Sequence, residues 1–354
     1  MTDLLGLATE LVATSSVSHH ESGLADRVEA DLRATSHLEV ERVGNTVVGR
    51  SQLGRAMRVM MAGHLDTVPA IDGGRPHVVD DTLWGLGATD MKGGLAVMLD
   101  VATTVPAPAH DVTFVFYECE EVERRHNGLG RLAATRPDLL AADAAVLGEP
   151  TGGVVEAGCQ GTLRVVVSVH GRRAHTARPW TGVNAVHRLG PVLDVVAGYR
   201  SRRVVLDGCE YAEQLQAVGI TGGVAGNVVP DRAAVTVNFR FAPDRSPAQA
   251  QEEVRRLLGA VLEDGAGDSL EVADVAPGAP PALAHPLLEA LVSATGAPPR
   301  AKVGWTDVAL FAEIGVPAAN FGPGDPLLSH TPDEHVSRHE LTEARRVLGE
   351  LVGG

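Results

Sequence analysis

The apolar run Val59-Met60-Met61-Ala62 ends in Gly63-His64-Leu65-Asp66, which sets an imidazole and a carboxylate two residues apart just past a buried strand. Open α/β sheets bind ligands at the carboxyl ends of their strands. There His64 can hold a divalent metal while Asp66 accepts the second ring N–H and fixes the tautomer. A turn that merely contains a His and an Asp is the competing reading. Asp90 lies in Gly85-Leu86-Gly87-Ala88-Thr89-Asp90-Met91-Lys92-Gly93-Gly94, just ahead of an apolar helix pattern at 95–101, where it is either an N-cap carboxylate or a ligand. This glycine-rich stretch has neither the GKS or GKT ending of a phosphate loop nor dinucleotide-fingerprint spacing, so nucleotide binding finds little support.

The strand pattern at 112–117 runs into Glu118-Cys119-Glu120-Glu121. Adjacent residues of extended chain point to opposite sides, so Glu120 and Glu121 can divide labour, one holding a metal and the other handling a proton. A solvated acidic loop remains the alternative. Strand 144–147 ends in Gly148-Glu149-Pro150-Thr151, and strand 317–321 leads through Gly322-Pro323-Gly324-Asp325 to Ser329-His330-Thr331. Two imidazoles, His64 and His330, and three carboxylates, from Asp90, the Glu120-Glu121 pair and Glu149, thus gather near strand ends or a helix start of one sheet. All are donor types that zinc accepts. Three negative charges against the four positive charges of two divalent ions nearly balance, and one glutamate is left over as a general base. The pattern implies a two-metal hydrolase that activates water and polarises a carbonyl.

The elements that must carry these groups come in two grammars. Up to about residue 158, helix-like stretches alternate with short buried strands at 58–62, 112–117 and 144–147, as in an α/β protein. From about residue 161 the order is strand 163–169, helix 184–199, strands 214–220 and 233–241, helix 246–262 and strand 269–275, a βαββαβ split ferredoxin-like unit. After the Pro/Gly-rich stretch 276–286 the α/β character returns. The reading is therefore an α/β catalytic domain with a mixed sheet, residues 1–160 and 277–354, interrupted by an inserted domain, residues 161–276.

At 354 residues the chain exceeds the size at which single cores stop growing. Its 44% hydrophobic and 21% charged residues fit a globular protein. A formal charge of -15 argues against nucleic acid and anionic membrane surfaces as partners. Cys119, Cys159 and Cys209 form an odd, scattered set, which favours a reducing cytoplasm over a disulfide framework. Residues 1–18 read as an amphipathic helix rather than a signal peptide, and no apolar run is long enough to span a membrane. Of the 30 basic residues only Lys92 and Lys302 are lysine.

Gly63-His64-Leu65-Asp66-Thr67-Val68-Pro69, Asp90-Met91-Lys92-Gly93-Gly94, Glu120-Glu121, Gly148-Glu149-Pro150-Thr151 and the late His330 resemble the dinuclear zinc amidohydrolases of the M20 peptidase family across nearly the whole chain. Cys119-Glu120-Glu121, Asn127-Gly128-Leu129-Gly130-Arg131, the stretch 156–164, Val237-Asn238-Phe239-Arg240-Phe241 and Gly304-Trp305-Thr306-Asp307 are most similar to its actinobacterial succinyl-diaminopimelate desuccinylase branch.

The resemblance implies two Zn2+ ions, with Co2+ able to substitute. One would be held by His64, Asp90 and Glu149 and the other by Asp90, Glu121 and His330, with Asp90 bridging. It implies Glu120 as general base, Asp66 as the orienter of His64, and a cis Asp90-Met91 bond. His175, in Gly171-Arg172-Arg173-Ala174-His175, would be an oxyanion donor supplied across a homodimer built through the inserted lid. Asn227 and Arg240, and less strongly Arg178 and Thr306, would bind substrate, although Arg240 can equally be a salt-bridge partner and Asn227 a turn residue. Glu334 and His335 are alternative ligands to His330.

The implied reaction is hydrolysis of the small molecule N-succinyl-LL-2,6-diaminopimelate to LL-2,6-diaminopimelate and succinate. Acetylornithine deacetylation, another N-acyl amino acid deacylation or dipeptide hydrolysis is the runner-up. A metal-binding dimeric scaffold without catalysis is the reading from a different class. Glu120 and His175, neither needed merely to hold zinc, argue against it.

Overall fold

The computed structural model describes residues 3–70 and 75–353. Met1 and Thr2 of the expected first helix lie outside that range, and the helix runs Leu4–Ala13.

The fold is α/β. A mixed eight-stranded sheet has the order Glu39–Val43, Thr46–Arg50, Asp111–Tyr117, Arg58–His64, Ala144–Leu147, Ala318–Asn320, Glu156–Ala157, Arg300–Ala301. Its four central strands, from Asp111–Tyr117 to Ala318–Asn320, are mutually parallel, so their carboxyl ends open on one edge. Side chains of a strand alternate between faces, and here each face meets its own core. Val59, Met61, Val112, Phe114 and Phe116 pack under the helices Leu4–Ala13, Ser22–Arg33, Gly93–Thr104, Pro286–Thr295 and Arg338–Gly353. Met60, Ala62, Val115 and Tyr117 pack against Leu129, Leu132 and Val308 to Phe311. Burial on both faces explains why these strands read as continuous apolar runs.

A second sheet is four-stranded and antiparallel, in the order Gln214–Gly222, Arg232–Phe241, Gly161–His170, Ser269–Ala276. This is the strand order of a βαββαβ unit. One face buries Leu163, Val165, Val167, Val235, Val237 and Phe239 under helical residues that include Val192, Val196, Val254 and Leu258.

The expected helix at 184–199 is broken into Ala185–Arg188 and Gly190–Ala197, because Pro191 has no N–H to continue the ladder. The expected helix at 246–262 is Pro247–Gly259, with Ser246 and Gln249 closing a capping box. A hairpin that the sequence pattern left out, Arg203–Leu206 with Cys209–Ala212, turns through Asp207-Gly208, both at positive φ. Asp-Gly is the dipeptide that such a two-residue turn demands.

Candidate metal centre

His64 is the last residue of its strand and is buried. Its Nδ1 lies 2.9 Å from the backbone oxygen of Asp66 and 3.6 Å from the Asp66 carboxylate. Asp66 therefore orients the ring through its main chain. Its carboxylate is taken up elsewhere, accepting the Ser18 hydroxyl at 2.8 Å and the backbone N–H groups of Glu120 and Glu121 at 3.0 and 3.1 Å. It thus fixes the turn after strand Asp111–Tyr117, where Cys119 takes φ 61 to reverse the chain.

Asp90 follows the left-handed Gly87 in an irregular turn with a cis Asp90–Met91 bond. The turn is pinned from far along the chain: Glu334 Oε1 accepts the N–H groups of Thr89 and Asp90, each at 2.9 Å, and the Thr89 hydroxyl donates to the His335 carbonyl at 2.6 Å. The strand His335–Ser337 is itself paired with Thr82–Trp84. The loop that carries His330 thereby also builds the seat of Asp90.

The donor atoms of His64, Asp90 and Glu149 lie within 4.8 Å of one another, as do those of Asp90, Glu121 and His330, so Asp90 is common to both groups. His64 Nε2 is 3.1 Å from Asp90 Oδ1, while His330 Nε2 is 2.7 Å from Glu121 Oε1 and 3.5 Å from Asp90 Oδ2. His330 is 45% exposed, on the open side. Glu334 and His335 are not in these groups: one carboxylate oxygen of Glu334 holds backbone amides, and the His335 ring lies against Trp84 at 4.2 Å.

The charge states bear the marks of crowded carboxylates. Burial, with Asp90 beside it, pushes Glu149 up to about 7, and its Oε1 is buried without a hydrogen-bond partner. Burial, then Glu149, Asp307 and Glu121, lifts Glu120 well above the usual carboxylate range against the pull of His64. Burial opposes the His64 imidazolium, yet Asp90, Asp66 and Glu149 together hold its pKa well above the ordinary value. The hydrogen bond to Glu121 raises His330 to about 9. An orphaned buried carboxylate oxygen among imidazole and carboxylate donors fits a divalent cation of the zinc or cobalt kind.

His175, Arg178 and Asn227 come together elsewhere. The strand Ala174–His175 pairs with Val228–Val229, Thr176 donates to the Asn227 carbonyl at 3.1 Å, and Arg178 donates to the His175 carbonyl at 2.8 Å. Among the described residues no hydrogen bond or ion pair joins this exposed cluster to the metal-ligand groups. Arg240 sits half-buried opposite Thr162 and Gln214, and burial with Arg164 nearby lowers its pKa. Thr306, a candidate for substrate contact, is buried and donates its hydroxyl to Asn320 at 3.0 Å.

Residue type alone did not mark several supports of the site. Both lysines are buried. Lys92 Nζ donates to the Thr14 carbonyl at 2.7 Å, while Lys302 pairs with Glu156 at 2.9 Å and lies 3.4 Å from the Pro150 carbonyl beside Glu149. Their rarity in an arginine-rich chain was the available signal. Asp307 accepts from Asn127 at 2.8 Å, and Asn127 in turn caps the helix Gly128–Thr135.

The family model described as "Peptidase family M20/M25/M40" matches residues 60–353. A Mycobacterium tuberculosis (strain ATCC 25618 / H37Rv) protein, provisionally assigned as succinyl-diaminopimelate desuccinylase, is 52% identical over 353 residues, 99% of this chain and 98% of that one. The succinyl-diaminopimelate desuccinylase of Corynebacterium glutamicum is 45% identical over 360 residues, covering 99% and 97%. Among solved structures, a Staphylococcus aureus tripeptidase superposes with TM-score 0.81 at 21% identity, covering 99% and 97%. The Bacillus subtilis YXEP protein, a dinuclear metal-binding peptidase, superposes with TM-score 0.71 at 17% identity, covering 98% and 96%. At these identities the two structures show the fold.

Proposed function

We propose, on the premise that this chain belongs to peptidase family M20/M25/M40, that it hydrolyses N-succinyl-LL-2,6-diaminopimelate to LL-2,6-diaminopimelate and succinate. It is a hydrolase of the desuccinylase branch. The observation that carries the reading is the pair of ligand groups sharing Asp90, with Glu120 alongside, in a chain 45% identical end to end to a desuccinylase.

His64, Asp90 and Glu149 would hold one Zn2+ and Asp90, Glu121 and His330 the other, with Co2+ able to substitute. When bound, the two ions supply Lewis acidity that makes water a better nucleophile and the scissile carbonyl a better electrophile. Glu120 takes the proton of the attacking water and returns it to the leaving amine. Asp66 holds Glu120 and Glu121 by their amides. Arg240, Arg178 and Asn227 meet the substrate's carboxylates and carbonyl. Arg240 has no acidic partner among the described residues.

Incubating zinc-loaded protein with N-succinyl and N-acetyl amino acids tests the substrate. Succinyl-diaminopimelate should be cleaved at least tenfold faster, by kcat/KM, than N-acetylornithine or any dipeptide of the panel. The reverse order would make the chain an acetyl-amino acid deacylase or a dipeptidase.

Residues 161–276 serve in this reading as lid and dimerisation unit. The strand Gln214–Gly222 is an edge of its sheet and exposes Val218 and Ile220, a surface suited to a second copy. His175 then donates to the developing oxyanion across the dimer, and an oxyanion donor must come within about 3 Å to act. Mixing inactive His175→Ala with inactive Glu120→Gln protein under subunit exchange should restore one of the two sites in each mixed dimer. No recovery despite demonstrated exchange would put His175 in cis or outside the reaction. A cytoplasmic location suits three free, buried cysteines. Among the described residues no helix is long and apolar enough to cross a membrane.

A further inference from the structure

One face of the second sheet carries two arginines that no acid holds. Side chains alternate along a strand. Leu163, Val165, Phe239 and Phe241 enter the core under the helices, so Arg164 and Arg240 point to the opposite face. The register sets Arg164 across from Asn238 and Arg240 across from Thr162, which makes the two arginines diagonal neighbours. Such positions lie about 7–8 Å apart, within reach of long side chains. Among the described residues neither guanidinium has an ion pair or a hydrogen bond. Asp274, across from Arg164 on the other flank, leaves it unpaired as well. The Asn238 amide and the Thr162 hydroxyl hold each other at 3.2 Å, so the arginines are the free donors of the patch.

The patch adjoins the loop that braces the Glu149 turn. Just ahead of strand Gly161–His170 the Gln160 N–H donates to the Lys302 carbonyl at 3.3 Å and the Cys159 thiol to the Thr306 carbonyl at 3.7 Å. Lys302 reaches on to the Pro150 carbonyl beside Glu149. Arg240 is half-buried although it points away from the helices of its own unit, while Arg164, one pleat further out along the sheet, is exposed. Burial first, and then the charge of Arg164, lowers the Arg240 pKa. Like charges side by side on a sheet are unfavourable, and an anion seated between them removes that cost.

We propose that Arg164, beside Arg240, binds the terminal carboxylate of the substrate's succinyl group and so selects succinyl over acetyl substrates. The inference rests on the desuccinylase reading and deepens it by naming what recognises the acyl group. A guanidinium presents a planar fork of donors that matches a carboxylate. Of the three carboxylates of the proposed substrate, the one at the far end of the diaminopimelate has an ammonium beside it, which two unpaired guanidiniums repel. The one next to the scissile nitrogen is common to every N-acyl amino acid and falls to Arg178 and Asn227. The succinyl carboxylate has no ammonium beside it and ends the acyl chain, away from the reacting carbonyl, as Arg164 lies one pleat outside Arg240. An acetyl group ends in a methyl and leaves both guanidiniums unanswered.

The test compares zinc-loaded, full-length parent, Arg164→Met and Arg164→Lys on N-succinyl- and N-acetyl-LL-2,6-diaminopimelate. Arg164 is exposed and unpaired among the described residues, so both variants should melt as the parent does. Arg164→Met should lose about 10- to 100-fold in kcat/KM on the succinyl substrate, the range of a lost charged hydrogen bond, and less than threefold on the acetyl one. The loss should fall on KM, because a contact remote from the reacting atoms is made equally before and in the transition state. Arg164→Lys, which keeps the charge, should recover part of it. Equal losses on both substrates, or no loss on either, would overturn the proposal. A parent without preference for the succinyl substrate would sink the desuccinylase reading instead. Calorimetric titration of succinate into parent and Arg164→Met then decides the arginine's role by itself: binding at least tenfold weaker in the variant upholds it, and equal affinity overturns it.

Discussion

Glu120→Gln is expected to lower turnover by about 100- to 10,000-fold, the range typical of removing a general base, while binding metal with the parent's stoichiometry. The amide has the same shape as the acid but cannot take a proton from water. The variant is also relieved of a strain, since Glu120 is buried among Glu149, Asp307 and Glu121 and a neutral side chain is easier to keep there. Its melting temperature should therefore match or exceed the parent's. Metal analysis, a thermal scan and single-turnover hydrolysis separate these effects. Turnover within a factor of two of the parent would remove Glu120 from the base role.

The second large effect concerns Asp66→Asn. The carboxylate satisfies three donors, the Ser18 hydroxyl and the Glu120 and Glu121 N–H groups, in a position closed to solvent. An asparagine brings one acceptor oxygen and an NH2 group that opposes one of those donors. Losing charged hydrogen bonds in the interior costs about 1–3 kcal/mol, and displaced partners of metal ligands typically cost 10- to 100-fold in metal affinity or activity. Because the backbone of Glu121 moves along with that of Glu120, kcat and the affinity for the second metal equivalent should fall together. A variant with normal metal affinity and normal kcat would show that the turn holds its shape without Asp66.

The strand ends carrying His64, Glu120-Glu121 and Glu149 were legible because each strand is buried on both faces, so apolar runs mark where the chain must stop and turn polar. The second sheet was legible for the opposite reason, its one-sided burial giving clean alternation along residues such as Leu163, Val165 and Val167. What stayed hidden depends on pairings across long separations. Glu334 accepts the amides of Thr89 and Asp90 over some 245 positions, and Glu21 meets Cys119 over 98. No local spacing encodes such contacts, and a lone glutamate looks the same whether it is solvated or holds a loop. Asp66 shows the intermediate case. Its place beside His64 was readable, but the target of its carboxylate was set by how the next strand arrives.

The order of the main sheet also says when the enzyme can first exist. Strand Ala318–Asn320 lies between Ala144–Leu147 and Glu156–Ala157, although the latter two are made early and the former late. During translation the sheet therefore waits with a gap at its middle while about 170 further residues emerge, roughly 10 to 30 s at ordinary elongation rates. The second four-stranded sheet, whose strands all lie within that interval, can finish folding meanwhile as a tethered passenger. His330 and Glu334 arrive only after the gap is filled, so a chain cut short of them carries Asp90 and Glu121 but lacks the imidazole that completes that proposed ligand group. If His330 is the ligand proposed above, the fold times its own activation: a polypeptide released short of its last few dozen residues should not hydrolyse substrate.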